Sequence, residues 1–383
     1  MPDGTPDDGV ITVPPFDVTS AESKVAMKID LDATTFSLQN AFYFARMSKI
    51  VYDEKGEVEG MLKGNDTNAG MGFEHFHWFE ADPEISGASV LDATQDTEGF
   101  VATNDEVLIV VFRGTKELTD WTTNMRMVPR SAPRDWNAVA GCDVHRGFDD
   151  GVDTVWLPGP GNPAGMHATI KALYDEEGSE RKLYVAGHSL GGALATIAAA
   201  RLVLVDNMNI AGIYTIGSPR VFDSKLASVF DQTVNHGTAM KDKYFRCRNN
   251  NDVVPRMPPI PYEHVGTEIY LDRFGAISTS SLWDRILGRI SALFRGNIID
   301  GVNDHSSSEY VRLFKQAVIA SRLSLFHKTK SVVKDAVQKV VPVKSESAKE
   351  QEQEIEAAKE AVLEASKATV VPAITVEGSS TEL

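Results

Sequence analysis

Residues 182–204 read KLYVAGHSLGGALATIAAARLVL, and this run narrows the possible folds more than any other part of the chain. Lys182 to Gly187 is a short apolar run with strand character, and Gly191 to Leu204 is rich in good helix formers. The turn between them is so short that only residues without a Cβ let neighbouring backbone pass, hence Gly187-x-Ser189-x-Gly191. A serine on such a strand-turn-helix corner is strained and presented for chemistry, the pattern of a nucleophile elbow. Three letters alone also fit an ordinary βα turn with a surface serine, so the serine's partners must decide.

The rest of the chain is organised around that unit. Residues 1–30 are rich in Pro and Asp and are expected to be irregular. Leu38, Phe42, Ala45 and Ile50 fall near helical spacing, which predicts a helix from Ser37 through Val51. Gly99–Thr103, the Asn104-Asp105 turn and Val107–Phe112 read as a hairpin. Further strands are expected at 212–216, 244–248 and 267–271, with a last helix near Glu309 to Ser321. Strands alternating with helices imply a largely parallel sheet covered by helices on both faces, an α/β fold. Residues 31–326 form the expected domain. The tail 327–383, rich in Glu, Gln, Ala and Lys, reads as a charged helix or disorder, and nothing in it names a partner.

Composition excludes several classes. A formal net charge of -16 sets the protein against phosphate backbones, so no nucleic-acid partner is expected. No apolar run approaches the ~18–20 residues of a membrane span. The start, MPDGTPDDGVITVPPFDV, has neither a basic nor an apolar leader region, so no signal or transit peptide is expected. Cys142 and Cys247 could form at most one bridge and have no metal-site spacing, which suits a reducing, cytoplasmic compartment.

A serine hydroxyl needs an imidazole to take its proton, and the imidazole needs an acid to hold its tautomer. The expected order on this fold is Ser, acid, His. Asp252, in NNNDVVP directly after the strand ending at Arg248, sits where functional groups gather in open α/β sheets. Its bland reading is a turn residue in an Asn-rich loop. Three histidines follow it: His264, His305 and His327. His305 is best placed, because Ser306 and Glu309 have capping-box spacing that would fix it just before the last helix. The rival reading is a capped helix start with an incidental histidine. Oxyanion donors are expected from the N–H of Leu190, next after the nucleophile, and from Thr115, at the end of an earlier strand.

Six motifs in order, VFRGT (111–115), VHRGF (144–148), VAGHSLGG (185–192), TIGSPRV (215–221), NDVVPR (251–256) and Asp304-His305, resemble the class 3, fungal-type lipase family. The resemblance covers about residues 37–321. It implies an α/β-hydrolase fold with Ser189 as nucleophile, Asp252 as acid, His305 as base, and Thr115 with Leu190 as oxyanion hole. It gives His145 and His264 structural places. It also implies hydrolysis of lipid carboxylic esters, acylglycerols first, with no cofactor and no metal. Arg273 to Asp300 and the tail fall outside the compact fungal pattern.

The resemblance places a lid after Thr115, where Leu118, Trp121 and Met125 are spaced along one helical face. A short surface helix packed by its tryptophan fits equally. In 281–295, SLWDRILGRISALFR, apolar residues recur at helical spacing with Arg285 and Arg289 off that face. Such a basic amphipathic helix suits a membrane or droplet surface, although most amphipathic helices pack on their own domain. A phospholipase A1 or galactolipid acyl hydrolase would use identical chemistry. From another class, a catalytically silent lipid- or protein-binding scaffold is the rival.

Overall fold

The computed structural model describes residues 28–64, 70–81, 97–115, 129–132, 141–159, 162–249, 252–259, 261–272, 275–279 and 304–321. The proposed lid residues, the stretch 281–295, the tail, and most of residues 1–30 therefore lie outside the described residues.

Eight strands form the main sheet, in the order His75–Glu80, Glu98–Thr103, Val107–Phe112, Lys182–His188, Ile210–Ile216, Tyr244–Asn249, Thr267–Leu271 and Ile277–Thr279. The five from Val107–Phe112 to Thr267–Leu271 run parallel. Glu98–Thr103, which forms a hairpin with Val107–Phe112, the edge strand His75–Glu80 and the last strand are added by antiparallel pairing. At the hairpin turn the Asn104 side-chain oxygen accepts from the N–H groups of Glu106 (3.0 Å) and Val107 (2.9 Å). That local capture of backbone donors is why Asn punctuates turns.

Val107–Phe112 is buried throughout because both faces of the sheet are covered. Leu108, Val110 and Phe112 enter one core, with the helices Arg146–Trp156, Gly165–Tyr174, Leu190–Leu204 and Ser224–Gln232. Val107, Ile109 and Val111 enter the other, with the helix Leu38–Ile50 and the helix 307–321. Cys142 lies in the first core and Cys247 in the second, so the sheet separates the two thiols and they form no bridge. A second, four-stranded sheet joins Tyr262–Glu263, Phe222–Asp223, Asp143–His145 and Pro129–Ser131. Among the described residues no helix is long and apolar enough to cross a membrane.

The helix Leu38–Ile50 begins where expected, with the Ser37 hydroxyl accepting from the Asn40 N–H at 3.3 Å. Its anchor is Phe44, fully buried between Tyr214 (ring centroids 5.0 Å) and Tyr184 (5.1 Å) of the two central strands. Phe44→Ala should lower unfolding free energy by about 3–5 kcal/mol, the usual cost of emptying an aromatic site in a close-packed core. Urea unfolding measures it. A loss under about 1 kcal/mol would mean that the helix is not the cover of this face.

Candidate active site

Ser189 is the junction between strand and helix. Its backbone sits at φ 59°, ψ −128°, a left-handed conformation that costs a non-glycine residue about 1–3 kcal/mol. The corner is held because the Ser189 N–H continues the sheet, donating to the Ile216 carbonyl at 2.9 Å. A Cβ at Gly187 would run into the Gly191 carbonyl, and one at Gly191 into the Phe112 carbonyl. Both glycines are therefore required by close backbone approach. Leu190 is the first helical residue, so its N–H is one of those a helix start leaves without an intrahelical acceptor.

Asp252 follows the strand Tyr244–Asn249 and is fully buried. Its carboxylate accepts from His305 Nδ1 (2.9 Å to both oxygens), the Tyr310 hydroxyl (2.7 Å) and the Val254 N–H (3.0 Å). Burying a charge is tolerable only with such partners. His305 Nε2 lies 2.7 Å from Ser189 Oγ. Because Nδ1 donates to the carboxylate, Nε2 carries the lone pair and accepts from the serine. The structure thus brings Ser189, Asp252 and His305 into one hydrogen-bonded line.

The loop carrying His305 is fixed from two sides. Asn249 Nδ2 donates to the Asp304 carbonyl at 2.8 Å. Helix 307–321 begins directly after Ser306, the residue read as its cap. The expected capping box is replaced: the Glu309 carboxylate turns forward to Arg312 (Nε–Oε2 2.7 Å) rather than back to Ser306. One helical turn away, the guanidinium offers a charged partner that a backbone N–H does not.

Thr115 directly follows Gly114, and a Cβ on Gly114 would stand 3.2 Å from Ser189 Cβ, so this loop lies against the nucleophile. His145 caps the helix Arg146–Trp156, its Nδ1 accepting from the Phe148 N–H at 3.4 Å, and stacks on the Phe148 ring. His264 donates from Nε2 to the Pro255 carbonyl at 2.5 Å, tying strand to loop just beyond Asp252. Arg220 binds the same loop through the carbonyls of Arg256 (2.9 Å) and Pro258 (3.0 Å).

Two functional positions escape sequence reasoning. Tyr310 donates to Asp252 and accepts from the Asn249 N–H at 2.8 Å; burial, then the carboxylate, pushes its pKa well up, so it stays a donor. A tyrosine buried in an apolar helix face needs a partner for its hydroxyl, which is the only signal the sequence offers. Gly217 has φ +60°, and a Cβ there would stand 2.8 Å from Asp252 Oδ2 and 3.1 Å from the His305 ring. Among the described residues no cluster of three or more His, Cys, Asp or Glu side chains is placed to hold a metal ion.

The sheet order and the Ser–His–Asp line define the chain as having an α/β-hydrolase fold. Within that class, residues 109–262 match the family model of class 3 lipases, and over that stretch the resemblance to the family is shown. The secreted mono- and diacylglycerol lipase 1 of Fusarium solani is 33% identical over 197 residues, 50% of this chain and 53% of that protein. A lipase of Rhizomucor miehei is 32% identical over 184 residues, 46% and 45% of the two chains. The chain thus spans about half the length of these curated relatives. The solved structure of the Rhizomucor miehei triacylglyceride lipase covers 61% of this chain and 80% of its own, at 25% identity and a TM-score of 0.48.

Two neutral histidines near the site give stability a pH dependence. Burial, then the neighbouring His305, lowers the pKa of His188 from 6.5 to about 3. Burial, then Arg246, holds His264 well below 6.5. Below pH 6.5 the unfolded chain takes up protons that the folded one refuses, so stability is full above that value and lost as pH falls. His188 alone should cost about 2 kcal/mol between pH 7.5 and 5.0. Urea midpoints across this range should fall with pH, less steeply in His264→Gln. Stability that is flat or rising toward pH 5 contradicts the assignment of both rings as neutral.

Proposed function

We propose that the protein is a serine hydrolase that cleaves carboxylic esters of lipids, acylglycerols first, through an acyl-enzyme on Ser189. The observation that carries this reading is the line Asp252, His305 Nδ1–Nε2, Ser189 Oγ, with contacts of 2.9 and 2.7 Å. In the first step Oγ attacks the ester carbonyl while His305 Nε2 takes its proton. Asp252 stabilises the imidazolium that forms and keeps Nε2 aimed at the serine. The tetrahedral oxyanion is met by the N–H of Leu190 and by Thr115. Collapse expels the alcohol, which receives the proton from His305. Water then attacks the acyl-enzyme with His305 again as base, releasing the acid and freeing Ser189.

The acylglycerol preference draws on the mono- and diacylglycerol lipase that the chain resembles. Phospholipids and galactolipids offer the same ester and are the second substrate class. A silent scaffold is disfavoured by the cost of building this line: a strained serine and a buried carboxylate contribute nothing to surface binding. The protein is read as cytoplasmic and as meeting lipid at a membrane or droplet surface. Two buried, unbridged thiols support the first reading and the basic amphipathic sequence 281–295 the second.

A panel of p-nitrophenyl esters, triacylglycerols, phospholipids and galactolipids tests this function. Ser189→Ala should abolish turnover on all of them without changing the fold, because alanine fits the same corner. Asp252→Asn should reduce kcat by roughly 10⁴, since the imidazole loses its tautomer. Turnover by Ser189→Ala above background removes the mechanism. Faster hydrolysis of a polar lipid than of acylglycerols changes the substrate class but not the chemistry.

A further inference from the structure

His188 is the last residue of the strand Lys182–His188, directly before the nucleophile, and it is buried. Its Nε2 lies 2.6 Å from the backbone carbonyl of His305, and its Nδ1 lies 3.0 Å from the hydroxyl of Tyr52. A carbonyl can only accept, so Nε2 carries the proton. In a neutral ring Nδ1 then holds the lone pair, so the Tyr52 hydroxyl must donate to it. The ring remains neutral because burial and the nearby His305 lower its pKa to about 3. Burial raises the Tyr52 pKa, so the hydroxyl keeps its proton, and its oxygen lies against Gly114, in the space that a Cβ there would need.

The direction of both bonds is thereby fixed, Tyr52 O–H to His188 Nδ1 and His188 Nε2–H to the His305 carbonyl, and the Tyr52 end of the path packs on Gly114. Both ends of this chain touch the chemistry. Gly114 lies against Ser189 and precedes Thr115, while the rings of His188 and His305 are 4.7 Å apart. Tyr52 is itself held by Arg113, whose guanidinium stands 5.8 Å over its ring and pairs with Glu98.

We propose that Tyr52 and His188 are positioning residues that couple the oxyanion-side loop at Gly114–Thr115 to the peptide of the base His305. The inference rests on the Ser189–His305–Asp252 reading above. Neither residue reacts. They fix where the His305 backbone stands and, through one neutral path, where the Gly114–Thr115 loop stands relative to it. Misplacement of either should slow the chemical step and leave substrate binding intact.

Kinetics on a soluble p-nitrophenyl ester, with melting temperatures, test this in Tyr52→Phe, His188→Phe, the double variant and Ser189→Ala. Tyr52→Phe removes one oxygen and should lower kcat about tenfold with KM within about twofold. Labelling of Ser189 by a fluorophosphonate should slow in parallel. The double variant should lose no more than His188→Phe alone, because the hydroxyl acts through that ring. Unchanged kcat in Tyr52→Phe, or a loss confined to melting temperature, overturns the proposal. Losses that multiply in the double variant also overturn it. If His188→Phe does not fold, the kcat and KM of Tyr52→Phe decide alone. Turnover by Ser189→Ala instead overturns the underlying mechanism, so the two failures are distinct.

Discussion

One imidazole holds the site together. His305 donates from Nδ1 to a fully buried carboxylate and accepts at Nε2 from a serine in a strained conformation. Each bond requires the other: without the carboxylate the tautomer is not fixed, and without the serine the lone pair is buried unmet. The three residues lie far apart in the chain, at 189, 252 and 305. They meet because the parallel strands Lys182–His188 and Tyr244–Asn249 end at the same edge of the sheet, and helix 307–321 packs back onto its face. The fold thus acts as a positioning device. Glycines 187, 191 and 217 are among the places where one more carbon atom would meet the site or its backbone.

That imidazole is buried, and the titratable rings and hydroxyls beside it are uncharged. His188 and His264, which would titrate near neutrality in water, are held uncharged by burial. Tyr52 and Tyr310 are held as hydroxyl donors for the same reason. Hydrogen bonds in such surroundings are stronger and their directions fixed, while any unpaired member costs more. The same burial that organises the site makes it sensitive to acid, because protonating those rings requires unfolding. Function and acid lability arise from one cause.

Much of this was legible in the sequence where local physics dictates the residue. The elbow is readable because a tight strand-to-helix turn demands glycine, and Asp252 because it follows a strand end. His305 is readable because it precedes an amphipathic helix. Strands with continuous apolar runs, such as Val107–Phe112, are equally plain. What escaped depends on tertiary contact. Tyr310 on the last helix and Tyr52 in the turn after the first are ordinary aromatic residues until folding places a carboxylate or an imidazole at their hydroxyls. Glu309 has the spacing of a capping residue, yet Arg312 takes its carboxylate, a competition between local bonds that spacing alone does not rank. The edge strand His75–Glu80 did carry a signal, since the partly buried Phe76 and Trp78 alternate with exposed histidines. Its brevity and polar residues hid it among loops.

The central claim is that Ser189 is a nucleophile activated by His305. The most direct test is the site and rate of covalent modification by a fluorophosphonate, read by intact mass and peptide mapping. One adduct per chain, on the peptide containing Ser189, formed far more slowly in His305→Ala, is the result this account predicts. An adduct on any other residue, or equal labelling rates with and without His305, would contradict it.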